Sequence, residues 1–442
     1  MKKKLAILTA MTLLYMADAG AQECLSLSQA ACRQMALAHN EELQQTGNAL
    51  RQAELDKAIA FTAYLPKFEG SVSAAYLLPD IDMMGSELRL RGTYMAGINL
   101  TQPLYAGGKI IASNKLAQIG RDCAVEKQRK IRMQVIADAD NAYWTLIAVE
   151  RKVRMLETYN NQMEALHKQV ETSLTVQMAT ENDLLRISTK RSEIRYQLQK
   201  ARNGEELCRL ALCNVLGTSL ETDILPTDTV IGIPAPTQPD ENIRMRPELK
   251  LLEKQVEAEQ QQIKVARAGI RPTVGLTAGY SYYGNMKLHG MTADAAGNNV
   301  PYTQEFKDGF TIAMASVSIP LFHWGEGLKK VKKAKLNLQN AQLDLQRNTR
   351  LLSIEVRQAV RNLSDGYNLV ETADLGGRQA DENLRVMQNR YAASMCTLTD
   401  LLDAQSQWQQ AQSNRIEAQT QYKIYETEYL RATGRLESEK MK

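Results

Sequence analysis

The segment Gln102-Pro103-Leu104-Tyr105-Ala106-Gly107-Gly108-Lys109 has a counterpart 217 positions on, Ile319-Pro320-Leu321-Phe322-His323-Trp324-Gly325-Glu326-Gly327. The same shift lays Lys115 on Lys332, Ala117 on Ala334 and Gly217 on Gly434. It also lays Thr180-x-x-Asp183-Leu184-Leu185 on Thr397-x-x-Asp400-Leu401-Leu402. Upstream of Pro103 the shift falls to 206, where Glu42-Leu43 meets Glu248-Leu249, Pro66 meets Pro272 and Tyr76 meets Tyr282. One register sustained this far is the mark of an internal duplication. The 11-residue difference falls between Tyr76 and Pro103 against the longer stretch from Tyr282 to Pro320.

Each half then predicts a helix, two strands, a very long helix and a returning helix. In the first repeat, 22–224, the helix covers Ser28–Tyr64 and Pro66 ends it. Strands follow at 68–78 and 88–101, where small or polar residues alternate with larger ones. The second repeat, 248–434, places its strands at 274–284 and 310–320, joined by a loop over Asn285–Gly309 that absorbs the extra residues. The long helical hairpins occupy about 109–217 and 326–434. Lys109–Gln177 contains no proline, and at about 1.5 Å per residue it makes a rod of roughly 100 Å. Ala142, Leu146, Val149, Val153 and Leu156 form a coiled-coil seam, as do Leu345, Leu352, Val356, Ala359 and Leu363. Between the halves, 225–247 holds five prolines and predicts a stiff, extended crossover, and 435–442 is left as a C-terminal tail.

Residues 1–21 carry the pattern of a secretory signal: Lys2, Lys3 and Lys4, then the apolar run Leu5–Tyr15, then Ala19-Gly20-Ala21. No later run of 18 apolar residues occurs, so entry into a membrane requires strands. Lys and Arg number 54 against 50 Asp and Glu, a mixed and nearly neutral balance that excludes a nucleic-acid partner. The four histidines have no metal-ligand spacing. No nucleophile–base pattern or phosphate-cradling loop appears, so neither an enzyme nor a metal or other cofactor is expected. An oxidising periplasm allows a disulfide between Cys24 and Cys32. The other four cysteines fit packed thiols.

Strands of about 10 residues suit a tilted crossing of the hydrocarbon layer. Four cannot close alone, and an open edge in lipid strands backbone groups at several kcal/mol each. Three copies sharing twelve strands satisfy that demand. The pleat puts Ser71, Ser73 and Thr277 on one face and Val72, Leu276 and Tyr280 on the other. Pro103 and Pro320 end their strands and turn the chain into the helices. Tyr105, Phe322 and Trp324 then fall at interface depth.

The duplicated layout resembles the TolC family of outer-membrane factors over essentially the whole chain after the signal. The resemblance is carried by 102–109 with 319–327, by Arg390-Tyr391-Ala392-Ala393-Ser394-Met395-Cys396-Thr397-Leu398-Thr399-Asp400-Leu401-Leu402-Asp403-Ala404, and by Asn40-Glu41-Glu42-Leu43 with Arg246-Pro247-Glu248-Leu249. It implies a mainly α fold with transmembrane β: a trimeric 12-stranded β-barrel in the outer membrane, continuous with a 12-helix periplasmic α-barrel. It also implies an exit duct for a tripartite efflux pump, passing small molecules, or alternatively for type I protein secretion. Implied partners are outer-membrane lipid, a periplasmic adaptor and an inner-membrane transporter of the RND, ABC or MFS type. A non-transporting coiled-coil scaffold or adhesin is the rival from another class, and the β segments argue against it.

By the same resemblance the periplasmic gate falls on Tyr391, Asp183, Asp400 and Asp403. Cys396 stands where some members have a linking arginine. Adaptor docking falls on Val176, Gln177, Met178 and Ala179, and on Ser394 and Met395. The residues also admit a plainer reading. Thr180 with Asp183, and Thr397 with Asp400, are capping boxes that start the return helices. Asp403, one turn on, has no capping task.

Overall fold

The computed structural model describes residues 24–83, 85–228, 231–234, 239–293 and 298–437; the signal segment lies outside them. Two compact units emerge. One gathers the chain up to Asn48, Glu126–Leu251 and the chain from Arg347; the other gathers Ala49–Val125 and Leu252–Gln346.

The second unit is organised by one antiparallel sheet. Its main strands are β2 (Lys67–Tyr76), β5 (Arg91–Ala106), β7 (Thr273–Ala293) and β8 (Asn299–Ser318). They lie in the order β2-β5-β7-β8, and the short β3 (Ile81–Met83) and β4 (Ser86–Arg89) extend the far end through β7. Directly opposed residues share a face, so the register sorts the side chains. Val72 faces Ala96, Ile98 faces Tyr280, Gln102 faces Leu276, and Val274 faces Val317. One face therefore carries Phe68, Val72, Ile98, Leu276, Tyr280 and Val317, all exposed; Val72 is 83% so. The other carries Ser71, Ser73, Asn99, Thr101, Thr277 and Ser281 on β2, β5 and β7, with Met95 on β5 and Phe310, Ile312 and Met314 on β8.

Three strand expectations need correction. The span 285–309 is mostly not a loop, because the β7–β8 ladder continues from Met286↔Phe306 to Ala293↔Asn299. Asn285 sits at φ 58 in a bulge, and its amide donates to the Arg91 and Gly92 carbonyls at 3.0 Å. A residue type that suggests a loop here bends a strand instead. The stretch 88–101 is divided, β4 ending at Arg89 before β5 begins at Arg91. Finally, Pro103 does not end its strand. The β5–β7 ladder shifts register between Pro103 and Tyr105 and runs on to Ala106↔Thr273. The turn is made by Gly107 and Gly108 at φ 65 and 93, conformations open to glycine. In the second repeat Trp324 and Gly325 take those places at φ 50 and 75.

The long helices are α3 (Lys109–Thr175) and α6 (Glu326–Ala392), with return helices α4 (Glu181–Leu216) and α7 (Leu398–Ala432); α5 is Pro247–Ala268. The first helix of the chain is not continuous. It splits into α1 (Gln29–His39) and α2 (Glu41–Thr62), because Asn40 adopts an extended conformation and its Oδ1 accepts from the Leu43 N–H at 3.0 Å.

In the first unit, β1 (Cys24–Leu27) pairs in parallel with β6 (Asp223–Pro226). Asp228 accepts from the Gln29 N–H and from the Tyr143 hydroxyl, which also donates to the Leu27 carbonyl. The core beside this clasp holds Cys32, Val135, Ala139, Trp144, Leu212 and Leu216. Cys32 keeps a free thiol that is 1% exposed, although the sequence allows a disulfide there; the Cys24 side chain lies outside the described set. Burial, then the charge of Asp140, pushes the Cys32 thiol up to about 12. The start of the tail is packed as well: Leu436 meets Met133 and Ile136, and Glu437 pairs with Arg129 at 3.1 Å. Residues 438–442 lie outside the described set.

Candidate functional site

The two hairpin ends are built alike. After α3, Gln177 turns at φ 60 and the Met178 N–H donates to the Ser173 carbonyl at 2.8 Å. After α6, Ser394 turns at φ 57 and the Met395 N–H donates to the Arg390 carbonyl at 2.8 Å. Val176, Met178 and Met395 stand out as large apolar side chains left exposed at these apices. Gln177 and Ser394 are exposed too, whereas Ala179 packs inward. Beneath lies a shared core of Tyr159, Met163 and Val170 from α3, Ile187 and Ile194 from α4, and Leu398 and Leu401 from α7.

Both return helices start in reciprocal capping boxes. Thr180 and Asp183 exchange bonds of 3.1 and 3.2 Å, and Thr397 and Asp400 bonds of 3.0 and 3.2 Å. The threonine hydroxyls donate to the same carboxylates at 2.7 Å. That hydroxyl bond first, and the backbone bond second, hold Asp183 and Asp400 below the ordinary 3.8. A depressed carboxylate contributes stability that is complete above its unfolded value and is lost as pH falls through the folded one. The first turns of α4 and α7 are therefore expected to fray below pH 3.8, seen as faster amide exchange at Thr180 and Thr397. Asp183→Asn and Asp400→Asn should abolish that pH dependence; exchange with an unaltered acid profile in those variants contradicts it.

Of the residues expected at a gate, Asp183 and Tyr391 are brought together. Burial raises the Tyr391 phenol first, and the Asp183 charge raises it further. Among the described residues no hydrogen bond joins them, since the Asp183 carboxylate is engaged by its own cap. Asp400 is likewise engaged. Asp403 is exposed one turn beyond it. Cys396 donates its thiol to the Met387 carbonyl at 3.6 Å. The sequence reading missed Arg186, whose Nη1 donates to the Thr399 hydroxyl at 2.6 Å and ties α4 to the start of α7. The duplication held the signal: Arg186 is the repeat counterpart of Asp403, and the two copies place opposite charges there.

Among the described residues no helix is long and apolar enough to cross a membrane. Comparison with known proteins gives one consistent answer. The family described as "Outer membrane efflux protein" matches residues 32–203 and 239–435. The pyoverdine export outer membrane protein OpmQ of Pseudomonas aeruginosa is 21% identical over 400 residues, covering 87% of this chain and 80% of that protein. The Campylobacter jejuni CmeC outer membrane channel superposes with a TM-score of 0.76 at 18% identity, over 92% of this chain and 86% of that one. The open state of the Neisseria gonorrhoeae MtrE outer membrane channel gives 0.75 at 18% identity, over 95% and 94%. The chain belongs to the outer membrane efflux protein family and is a TolC-like channel protein of the bacterial outer membrane, not an enzyme.

Proposed function

We propose that three copies of this chain close one barrel and serve as the passive exit duct of a tripartite efflux pump. An adaptor and an inner-membrane transporter deliver small molecules to it. The observation that carries this is the sheet: among the described residues β2 and β8 each pair with a single strand, and the face of Phe68, Val72, Ile98, Tyr280 and Val317 is exposed. In hydrocarbon those open edges demand partners, and β8 of one copy is antiparallel to β2 of the next. Exposed apolar side chains on α6 (Leu351, Ile354, Leu369) and on α4 (Leu185, Tyr196, Leu207) supply further surface for self-association. The export role named for OpmQ supports a small-molecule cargo.

At the hairpin ends, the exposed Val176, Met178 and Met395 offer apolar knobs to an adaptor. Asp403 is the residue free to form a ring of carboxylates that favours cations. The Arg186–Thr399 bond ties α4 to the start of α7 beside it. Planar-bilayer recording of the purified protein tests the reading. Wild type should conduct with cation preference, and Asp403→Ala should reduce that preference while leaving the Thr397–Asp400 cap intact. Equal selectivity in the two removes the ring, and absence of conductance in both removes the duct.

A further inference from the structure

The two barrel-to-helix junctions of this chain are related by the duplication, yet only one of them is complete. In the first, β5 stays paired with β7 through Ala106, and Gly107 then settles against the end of α5. A Cβ on Gly107 would come within 2.6 Å of the Ala268 carbonyl, and Arg271 Nη1 donates to the Gly107 carbonyl at 3.3 Å. In the second, the ladder stops at Ser318, and among the described residues the counterparts of the last five β5 residues, 319–323, have no strand partner. The two segments align without a gap and share Pro103/Pro320, Leu104/Leu321 and Gly108/Gly325, but they differ in strand neighbour and in carrying Trp324 where the first has Gly107. Leu321, Phe322 and Trp324 are left 89%, 69% and 84% exposed.

The missing neighbour is specified by the repeat. Trp324 occupies the place of Gly107, and shifting Ala268–Thr273 by 206 gives Thr62–Lys67, the segment that leads into β2. That segment and its flanks are open: Leu65 within it and Phe61 and Phe68 on either side are exposed. Antiparallel pairing of β8 with β2 of the next copy brings the residues following β8 beside those preceding β2. Two exposed apolar surfaces then meet, the Phe322–Trp324 ring pair from one copy and the Phe61–Tyr64 ring pair from the next.

We propose that Trp324, with Phe322, docks on the Phe61–Phe68 segment of the adjacent copy and anchors each subunit seam where barrel becomes helix. This rests on the shared-barrel reading above. Trp324 holds φ 50, a backbone conformation that a bulky side chain adopts only under constraint. At the equivalent site the chain carries glycine. Docking of the indole on a neighbour gives a reason for retaining the strained residue.

The test replaces Trp324 in the full chain with the photo-crosslinking residue p-benzoyl-phenylalanine and irradiates the protein in outer-membrane vesicles. Expected are adducts between two chains, with the crosslink in the peptide from Ala58 to Lys67. An assembled trimer that gives adducts only with lipid, or only within one chain, overturns the anchor and leaves the shared barrel standing. A protein that is monomeric by light scattering overturns both. Trp324→Gly supplies an independent sign. Relief of the positive φ alone would hold or raise the temperature at which the trimer dissociates, whereas loss of the anchor lowers it.

Discussion

Val72→Arg is expected to abolish assembly in the outer membrane, while Ser71→Arg, one residue away, is tolerated. Val72 lies mid-strand on β2, 83% exposed and opposite Ala96, on the face that carries Phe68, Ile98 and Tyr280. An arginine on the lipid face near the bilayer midplane costs about 2–4 kcal/mol. A three-fold assembly repeats the substitution three times, so the total reaches roughly 6–12 kcal/mol, as large as the whole stability of an ordinary domain. Ser71 points to the other face beside Gly97, where water is the expected neighbour. The yield of heat-resistant trimer in the outer-membrane fraction reads the difference. Equal losses for the two variants would mean that the sheet faces have been assigned the wrong way or that neither meets lipid.

Asp140→Ala should produce the largest loss in the helical unit, about 3–5 kcal/mol. The Asp140 side chain is 1% exposed and accepts from Arg33 Nε at 2.7 Å and Nη2 at 2.6 Å, and from the Thr427 hydroxyl at 2.7 Å. One carboxylate thus fastens α1, α3 and α7 together. Truncation removes both Arg33–Asp140 hydrogen bonds and the charge that balances a mostly buried guanidinium, and takes away the acceptor of the buried Thr427 hydroxyl. Replacing both charges removes that penalty, so Arg33→Met/Asp140→Leu is expected to unfold closer to wild type than Asp140→Ala does. Thermal unfolding in detergent, followed by circular dichroism, gives the order; a double variant as weak as the single would refute the buried-charge explanation.

The periodic parts of this fold are legible in the sequence because they depend on local rules. Capping boxes at Thr180 and Thr397, glycine at Gly217 with φ 65, and long stretches without proline all act within a few residues. What escaped was set by distant partners. The pairing of Met286 with Phe306 overrides the loop-like composition around Asn285. Ala106 is strand and its counterpart His323 is not, because Ala106 pairs with Thr273 of β7 while His323, among the described residues, pairs with no strand. Arg246 belongs to the Arg-Pro-Glu-Leu segment that marks the family resemblance, yet its burial to 2% and its 2.8 Å bond to Glu355 follow only from the packing of α6. At the hairpin ends the sequence located Asp183 and Asp400, and the structure assigns their carboxylates to capping. Arg186 required the two repeats to be compared position by position, since its partner Thr399 lies 213 residues away.

The β1–β6 clasp sets an order of events in time. Cys24–Leu27 leads the described chain, but its pairing strand ends at Pro226 and the carboxylate that braces it comes from Asp228. Delivered at the pace of synthesis, roughly 5–20 residues per second, the intervening 200 residues take about 10–40 s to arrive. Throughout that interval the leading strand has unsatisfied edges and an uncovered Leu27, and the hairpin of α3 and α4 is complete only when Leu216 emerges, just ahead of the clasp strand. The clasp therefore registers completion of the first repeat: it snaps shut only once the crossover has emerged. A chain interrupted before Asp223 presents an adhesive leading edge to whatever holds or degrades unfinished proteins in the periplasm.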